Sequence, residues 1–576
     1  MPPLLRYPTV DELGARAAAL VARHPGDARL RRVGTSRAGT PMWLLSIGHG
    51  SRQALVVAGP HANEPVGGAT VLRLAERVLS DRRYTEGADA TWNLLLSLDP
   101  DGLRRNEGWL QGPYSLGRYF RNFFRPGFLE QPEWLPDGAA SAALPETRTL
   151  LDLQDELRPF LQCSLHGVDV GGGFVELTRD LPGLARRVAH TAARLGIPRE
   201  LGPYDTLYWP SVGPAVYRIP PPRIGDLAAA ISEAAVESTW FHPYRHGTVT
   251  AVVEAPMWGV AAVEDGSPPA DAAAVLRTVS HTLRNDSRLL ELLLARLRPH
   301  LAGMPDAARL LAPVDDYLLV CPGLADAWDP DVADGARPLP PLSTAHLAAL
   351  RIAGRRLALR TAGLLHQLVT RAGRDLAGVL PDLDRLIDDW CADYRDGMGA
   401  RWIPVARQAE YQSRVVLAAF ELANSSREGH APPPSRPHCQ VRITRLDGSP
   451  TTLSLRVTPT EGHPWSVAES QLPWLTATAV PLTPASVEPA TCHLRPSGQQ
   501  RAHGAEFTFT TRHPGRHVIR FTIALDPSGT VLQQVETELD VIDGDSSPDV
   551  AAPHAVWHGG EASRGQLTDL ARAVVL

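Results

Sequence analysis

The chain has 576 residues, more than a single hydrophobic core supports, so several domains are expected. Its formal charge of −6 is spread along the chain and leaves no nucleic-acid footprint; every basic residue is Arg, so anion sites here are expected to use guanidinium groups. The 5 cysteines, Cys163, Cys321, Cys391, Cys439 and Cys492, form no C-x-x-C pair and are odd in number, which argues against a disulfide framework or a zinc knuckle.

The start, MPPLLRYPTVDELGARAAAL, has no basic segment leading into a continuous apolar stretch. It reads as an amphipathic helix over residues 10–24, not a signal peptide. No apolar run of about 18 residues follows, so no membrane span is expected, and the cytoplasm is the expected location. RRVGTSRAGTPMWLLSIG reads as two short strands about a Gly-containing turn, and QALVVAGP as a buried parallel strand. GATVLRLAERVLS has helical spacing. TWNLLLSLDPDG is a buried strand ending in a turn, ETRTLLDLQDELRP a helix, FLQCSLHG a strand and TVTAVVEAPMW a β-branched run ending in Glu.

Strands alternating with helices predict, for residues 1–270, an α/β domain with a mixed, mostly parallel sheet flanked by helices. Residues 271–430 have helical apolar spacing and form a helical extension, closed by the linker SSREGHAPPPSRP. Residues 436–545 show short alternating strands between Gly, Pro and Asp turns, the pattern of a small β-sandwich. Residues 546–576 are a linker and C-terminal tail, with a candidate helix in RGQLTDLARAVVL.

The stretch AGPHANEPVGG, at the end of QALVVAGP, places His61 and Glu64 three residues apart. A strand-to-helix turn can converge such a pair on one point, with Pro65 in the first helical turn and Gly67 and Gly68 letting the helix pack close to the sheet. A catalytic zinc needs three N/O ligands and an open position for water. His166 in SLHG is the candidate third ligand, delivered by an apolar strand that Gly167 then ends. Glu254, in TAVVEAP, is the candidate general base beside the open position. His61 and Glu254 are both expected at carboxyl ends of strands, where open α/β sheets place their ligands. No H-E-x-x-H helix occurs, which excludes the metalloprotease type built on one helix.

In these segments the chain resembles the M14 family of zinc carboxypeptidases over about residues 5–260. YPTVDEL and HPGDARLRRVGTSRAGTPMWLLSIG are similar to the family's N-terminal helix and first hairpin, GPHANEPVGG to its G-x-H-x-x-E turn, and LSLDPDGLRRNEGW to its N-P-D-G segment, with Asp99 where Asn is usual. SLHG and TAVVEAP match the third-ligand and general-base segments in order and spacing. The resemblance implies one zinc ion held by His61, Glu64 and His166, with Glu254 taking the proton of the attacking water and passing it to the leaving amine. It implies an Arg after DPDG as oxyanion stabiliser: Arg105, with Arg104 as the alternative. The family's Asp-x-Asn-Arg matches RYFRNF, with Arg118 in the Asp place and Phe120 in the Asn place. Arg121 is kept and Asn122 stands in as a carboxylate-gripping partner. No residue here supplies the acid that orients the first zinc His. Of Tyr204, Tyr208, Tyr217 and Tyr244, the last is taken as the family's catalytic Tyr.

Arg118, Arg121 and Arg125, interleaved with Phe and Tyr, form a candidate anion patch. Glu176 reads as a strand-edge residue, with a second cleft carboxylate as the alternative. His242 and His246 read as loop residues, and Cys163 as an inert buried thiol. The implied function is a zinc-dependent hydrolase cleaving a C-terminal peptide or related amide bond. The alternatives are a zinc amidase or deacylase on a non-peptide or C-terminally modified substrate, and an inactive peptidase-like binding protein. The expected partner is a peptide or amide substrate, with no nucleic acid and no membrane; a protein or glycan partner of the sandwich is left open.

Overall fold

The computed structural model describes residues 5–541, apart from 136–143, 220–237, 302–303, 305, 333–338, 373–377, 426–438, 447–450, 460–473, 482, 484, 489, 498–501, 511–514 and 527–529. The expected tail 546–576 and most of the expected linker lie outside the described residues. Described residues fall into two compact units, one within 1–430 and one within 431–560.

The first unit is organised by a 10-stranded sheet of order β1-β2-β4-β3-β5-β9-β6-β8-β7, with β10 on β9. Its strands are β1 Ala28–Thr35, β2 Pro41–Ile47, β3 Arg52–Ala58, β4 Ala90–Leu95, β5 Leu161–Gly171, β6 Phe174–Leu177, β7 Ser211–Gly213, β8 Val216–Arg218, β9 Val249–Gly259 and β10 Arg401–Trp402. The central strands β4, β3, β5 and β9 run parallel. Every residue of β4 and β5 is buried, as a strand covered on both faces requires. Hairpin β1–β2 and strands β6, β7 and β10 are the antiparallel additions. This is the mixed, mostly parallel, helix-flanked sheet expected.

Helix α1 Val10–Arg23 starts at a capping box, Thr9 with Glu12. Helix α2 Val66–Ser80 follows β3, and α3 Pro100–Leu110 follows β4. DPDG is therefore a helix start, not a turn: Asp99 caps α3 by accepting from the Gly102 N–H at 2.8 Å. A Cβ on Gly67 would lie 3.1 Å from the Gly59 nitrogen, so α2 does pack onto the end of β3 through this glycine; Gly68 meets Leu13 of α1 instead. Helices α4 Leu116–Arg121, α5 Pro145–Leu157 and α6 Leu184–Leu195 complete the flanks.

The later helices, Ala272–Leu301, Ala307–Trp328, Thr344–Ala372, Leu380–Ala392 and Val405–Ser425, belong to the same compact unit as the sheet. Thr344–Ala372 packs on the two before it and also reaches β5 and α4, while Val405–Ser425 lies against α2, α6 and β9. Thr344–Ala372 is buried nearly all round and brings two buried guanidinium groups with it. Arg360 pairs with Asp169 on β5 at 2.9 Å, and Arg356 donates to the Val170 carbonyl. No helix among the described residues is long and apolar enough to cross a membrane.

The second unit is an antiparallel set of 8 strands, in the order Cys439–Leu446, Thr451–Pro459, Ala502–Thr510, Thr491–Ser497, Trp474–Pro481, Gly515–Asp526 and Thr530–Val541, with Ser486–Glu488 on the side of Ala502–Thr510. Thr491–Ser497 pairs with one neighbour through Thr491–Leu494 and with the other through Arg495–Ser497, passing between the two halves as sandwich corner strands do. Leu453, Leu455, Ala477, Phe507, Ile519, Phe521 and Ile523 form its core.

Candidate metal centre

Strand β3 stops at Ala58, where it pairs with Leu165 of β5. Gly59 then turns the chain at φ +58, and His61 and Glu64 occupy the turn before α2. β5 does not end at Gly167 as expected; it runs on with β9 as far as Gly171 opposite Gly259. His166 is thus the first residue of β5 beyond β3, and Glu254 is its register partner in the middle of β9 rather than at a strand end. The crevice forms because β3 stops while its neighbours continue.

One ligand atom from each of His61, Glu64 and His166 lies within 4.8 Å of the others. The Nδ1 atoms of both imidazoles face the Glu64 carboxylate, at 3.0 Å for His61 and 3.4 Å for His166. The Gly167 N–H donates to Glu64 Oε2 at 3.0 Å, which fixes that carboxylate's orientation. His166 Nδ1 is 3.6 Å from Glu254 Oε1, and Glu254 Oε2 is buried without a hydrogen-bond partner among the described residues. Two imidazoles, one carboxylate and an acid with a spare oxygen suit zinc, so the residues present fit the ion.

Burial raises the Glu254 carboxyl well above the ordinary carboxylate range; His166 opposes this, while Glu64 and Glu176 reinforce it. A carboxylate of raised proton affinity suits a general base.

Behind the imidazoles lies a residue that sequence reasoning missed. Glu133, fully buried, has Oε2 3.2 Å from His61 Nε2 and Oε1 3.0 Å from His166 Nε2. Trp240 Nε1–H donates to Glu133 Oε1 at 2.6 Å and the Ser164 hydroxyl at 3.1 Å. The two histidines outweigh burial and hold Glu133 well below the usual carboxylate range. Its segment, FLEQPEWLP, has no periodicity; an acid set in an apolar, aromatic stretch was the sole signal. The orienting acid that has no place in RYFRNF is found here instead.

Arg125 is the guanidinium in the centre, with Nη2 2.9 Å from His61 Nε2 and Nη1 3.3 Å from Glu64 Oε1. Gln131 Oε1 accepts from it at 2.9 Å. The other expected groups are not brought here. Arg104 pairs with Asp11 of α1. Arg105 pairs with Asp306 at 3.1 Å and lies over the Phe124 ring. Arg121 is engaged by Asp384 at 2.8 Å and Asp388 at 3.0 Å, both on helix Leu380–Ala392. The Asn122 side chain donates to the Arg118 carbonyl. Acids of the first helix and of the helical extension have taken up the first three. The expected anion patch is therefore not formed, since Arg118 donates to the Gly108 carbonyl instead.

Tyr244 stands on the turn His242–His246 that precedes β9, with Arg179 over its ring. Glu254 lies five residues into β9, roughly 16 Å further along at strand rise. His242 and His246 flank Tyr244 on the same turn, both against Asp155. Glu176 is buried on the site's side of β6 and so is a cleft carboxylate, not an edge residue. Cys163 is buried, its thiol pushed up to about 12.

Residues 15–170 match the family model Peptidase_M14, zinc carboxypeptidase. The match spans His61, Glu64, Glu133 and His166; Glu254 lies beyond it. No curated protein matches the chain. Among solved structures, carboxypeptidase A from Helicoverpa armigera is 16% identical, with 44% of this chain and 65% of that one covered and a TM-score of 0.29. The metallo-carboxypeptidase from Burkholderia cenocepacia is 15% identical, covering 43% and 60%, with a TM-score of 0.28. Bovine thrombin-activatable fibrinolysis inhibitor, in complex with tick carboxypeptidase inhibitor, is 14% identical, covering 33% and 73%, with a TM-score of 0.26. The chain thus spans less than two thirds of the first two. By the family match, residues 15–170 are similar to the zinc carboxypeptidase domain of the M14 family.

Proposed function

We propose that the chain is a zinc-dependent hydrolase that cleaves a C-terminal peptide or related amide bond, with one zinc ion held by His61, Glu64 and His166. The observation that carries this reading is the convergence of those three residues beside Glu254, with Glu133 behind both imidazoles. When bound, zinc would lower the pKa of a water molecule towards about 7 and polarise the substrate carbonyl.

Glu254 accepts the water's proton and later gives it to the leaving amine. Arg125, the guanidinium within reach of His61 and Glu64, takes the oxyanion role first assigned to Arg105. Glu133 sets the tautomer. Ligation through Nδ1 requires an imidazole to carry its proton on Nε2; Glu133 is the hydrogen-bond acceptor there for His166, while its Oε2 lies 3.2 Å from His61 Nε2 without forming a hydrogen bond.

One observation favours the second reading, an amidase or deacylase acting on a C-terminally blocked substrate. Arg121, which the resemblance assigns to the substrate carboxylate, is held by two aspartates away from the centre. Zinc-supplied protein, assayed on an N-acyl dipeptide with a free and with an amidated C-terminus, separates the readings. Turnover of the free form alone supports the carboxypeptidase, turnover of both supports the amidase, and turnover of neither refutes the hydrolase.

A further inference from the structure

We infer that the cleft between α2, α6 and helix Val405–Ser425 binds phosphate groups, free or carried by a small organic molecule. α2 starts at Val66, directly after the ligand turn, and ends at Ser80, roughly 20 Å away at helical rise. The cleft lies at that far end, so it is separate from the metal centre and the inference does not depend on the hydrolase reading.

The cleft has a volume of about 630 Å³, within the usual size of small-molecule sites. Each helix turns one stripe towards it. On α6, Arg186, Arg187, His190 and Thr191 recur at the three- and four-residue spacing that puts side chains on one face. Arg77 and Ser80 do the same on α2, and Arg414, Leu417, Ala418 and Glu421 on Val405–Ser425. Leu417 and Ala418 are buried and give the cleft an apolar stretch between basic ones.

The acids within reach do not neutralise the bases. Glu410 is shared by three guanidinium groups, those of Arg73, Arg77 and Arg414. Burial opposes its ionisation, but the three arginines prevail and hold its carboxyl down to about 2. Glu421 takes Arg187 and also accepts from the Tyr84 hydroxyl at 3.2 Å. Asp81 is taken by Arg83 at 2.7 Å. Arg186 and His190, both exposed, make no hydrogen bond or ion pair among the described residues, and the hydroxyl of buried Thr191 makes none either. With the partners of the lining residues counted, six guanidinium groups face three carboxylates, on a chain whose formal charge is −6.

Like charges held along a concave wall repel one another, and an anion lodged among them removes that repulsion and gains charge-assisted hydrogen bonds. A carboxylate would bring a single charge. A phosphate ester brings about two, with three strong acceptor oxygens, and so answers more of the excess. An organic group attached to it would have Leu417 and Ala418 to rest on.

Titration calorimetry on the full-length, metal-free chain tests this, with inorganic pyrophosphate as the probe at physiological salt. Wild type is compared with Arg186→Gln and Arg288→Gln. Both arginines are exposed and without a partner among the described residues, but Arg288, on helix Ala272–Leu301, does not line the cleft. One pyrophosphate should bind per wild-type chain, with affinity kept in Arg288→Gln and about tenfold or more weaker in Arg186→Gln. ADP is the second probe. Tighter binding of ADP than of pyrophosphate supports an organic phosphate as the occupant, and equal binding supports recognition of the phosphates alone. Absence of saturable binding by both probes overturns the inference. So does binding that Arg186→Gln leaves unchanged, or that both variants weaken equally.

Discussion

Glu133 joins two imidazoles with one carboxylate, so its loss should loosen both ligands at once. Glu133→Ala is expected to weaken zinc about 10- to 100-fold in competition with a chromogenic chelator, the usual range for an outer partner of metal-bound histidines. Glu133→Gln should fall between, because an amide oxygen still accepts from one imidazole. Glu254→Gln should do the reverse. It should keep zinc affinity and lose about 10³-fold in turnover, the middle of the range for a positioned base. Equal effects of both variants on affinity would contradict this division of labour.

Asp99 gives a pH-dependent test. Burial pushes its carboxyl up to about 7, and one of its oxygens has no hydrogen-bond partner among the described residues. The folded chain therefore binds this proton more tightly than the unfolded one. Its stabilising effect is full below about pH 4 and is lost as pH rises through about 7. Asp99→Asn, which still caps Gly102, should stabilise the chain by about 1–3 kcal/mol at pH 8 and by less at pH 5 in thermal melts. An advantage independent of pH would refute the assignment.

At the scale of elements, helix Thr344–Ala372 contains a controlled comparison. A Cβ on Gly363 would lie 2.0 Å from the Phe120 carbonyl oxygen of α4, whereas one on Gly354 would meet Val279 at 3.8 Å. Gly354→Ala should be neutral or stabilising by up to about 1 kcal/mol, from helix propensity alone. Gly363→Ala should lower the melting temperature markedly, because backbone would have to move. The four residues that define the centre were legible because each sits on, or just past, an apolar run that reads as a strand. Glu133 was not, and Arg125 was read only as part of a candidate anion patch, because irregular chain delivers them and irregular chain has no period. The partners of Arg121 and Arg105 could not be read for another reason: Asp384, Asp388 and Asp306 lie more than 200 residues further on. Spacing along the chain carries no information about which distant acid captures an Arg. β5 was cut short because Gly167 looked like an end, and a strand tolerates glycine where another backbone approaches; in β9 the end was read at Glu254, five residues before the strand stops.

For the whole molecule, the helical extension completes the core that holds the centre. Arg360 neutralises buried Asp169, three residues after His166, and Gln412 donates to the carbonyls of His166 and Val253. A chain ending at residue 270 should therefore aggregate, while one ending at residue 430 should remain folded and bind zinc. Soluble, zinc-binding 1–270 would refute this. The central claim is tested most directly by the zinc content of the purified full-length chain after dialysis against the metal, in wild type and in His166→Ala. The account predicts one zinc per wild-type chain and none in the variant, with both folded by circular dichroism. A folded wild type that takes up no zinc, or a variant that keeps a full equivalent, would contradict it.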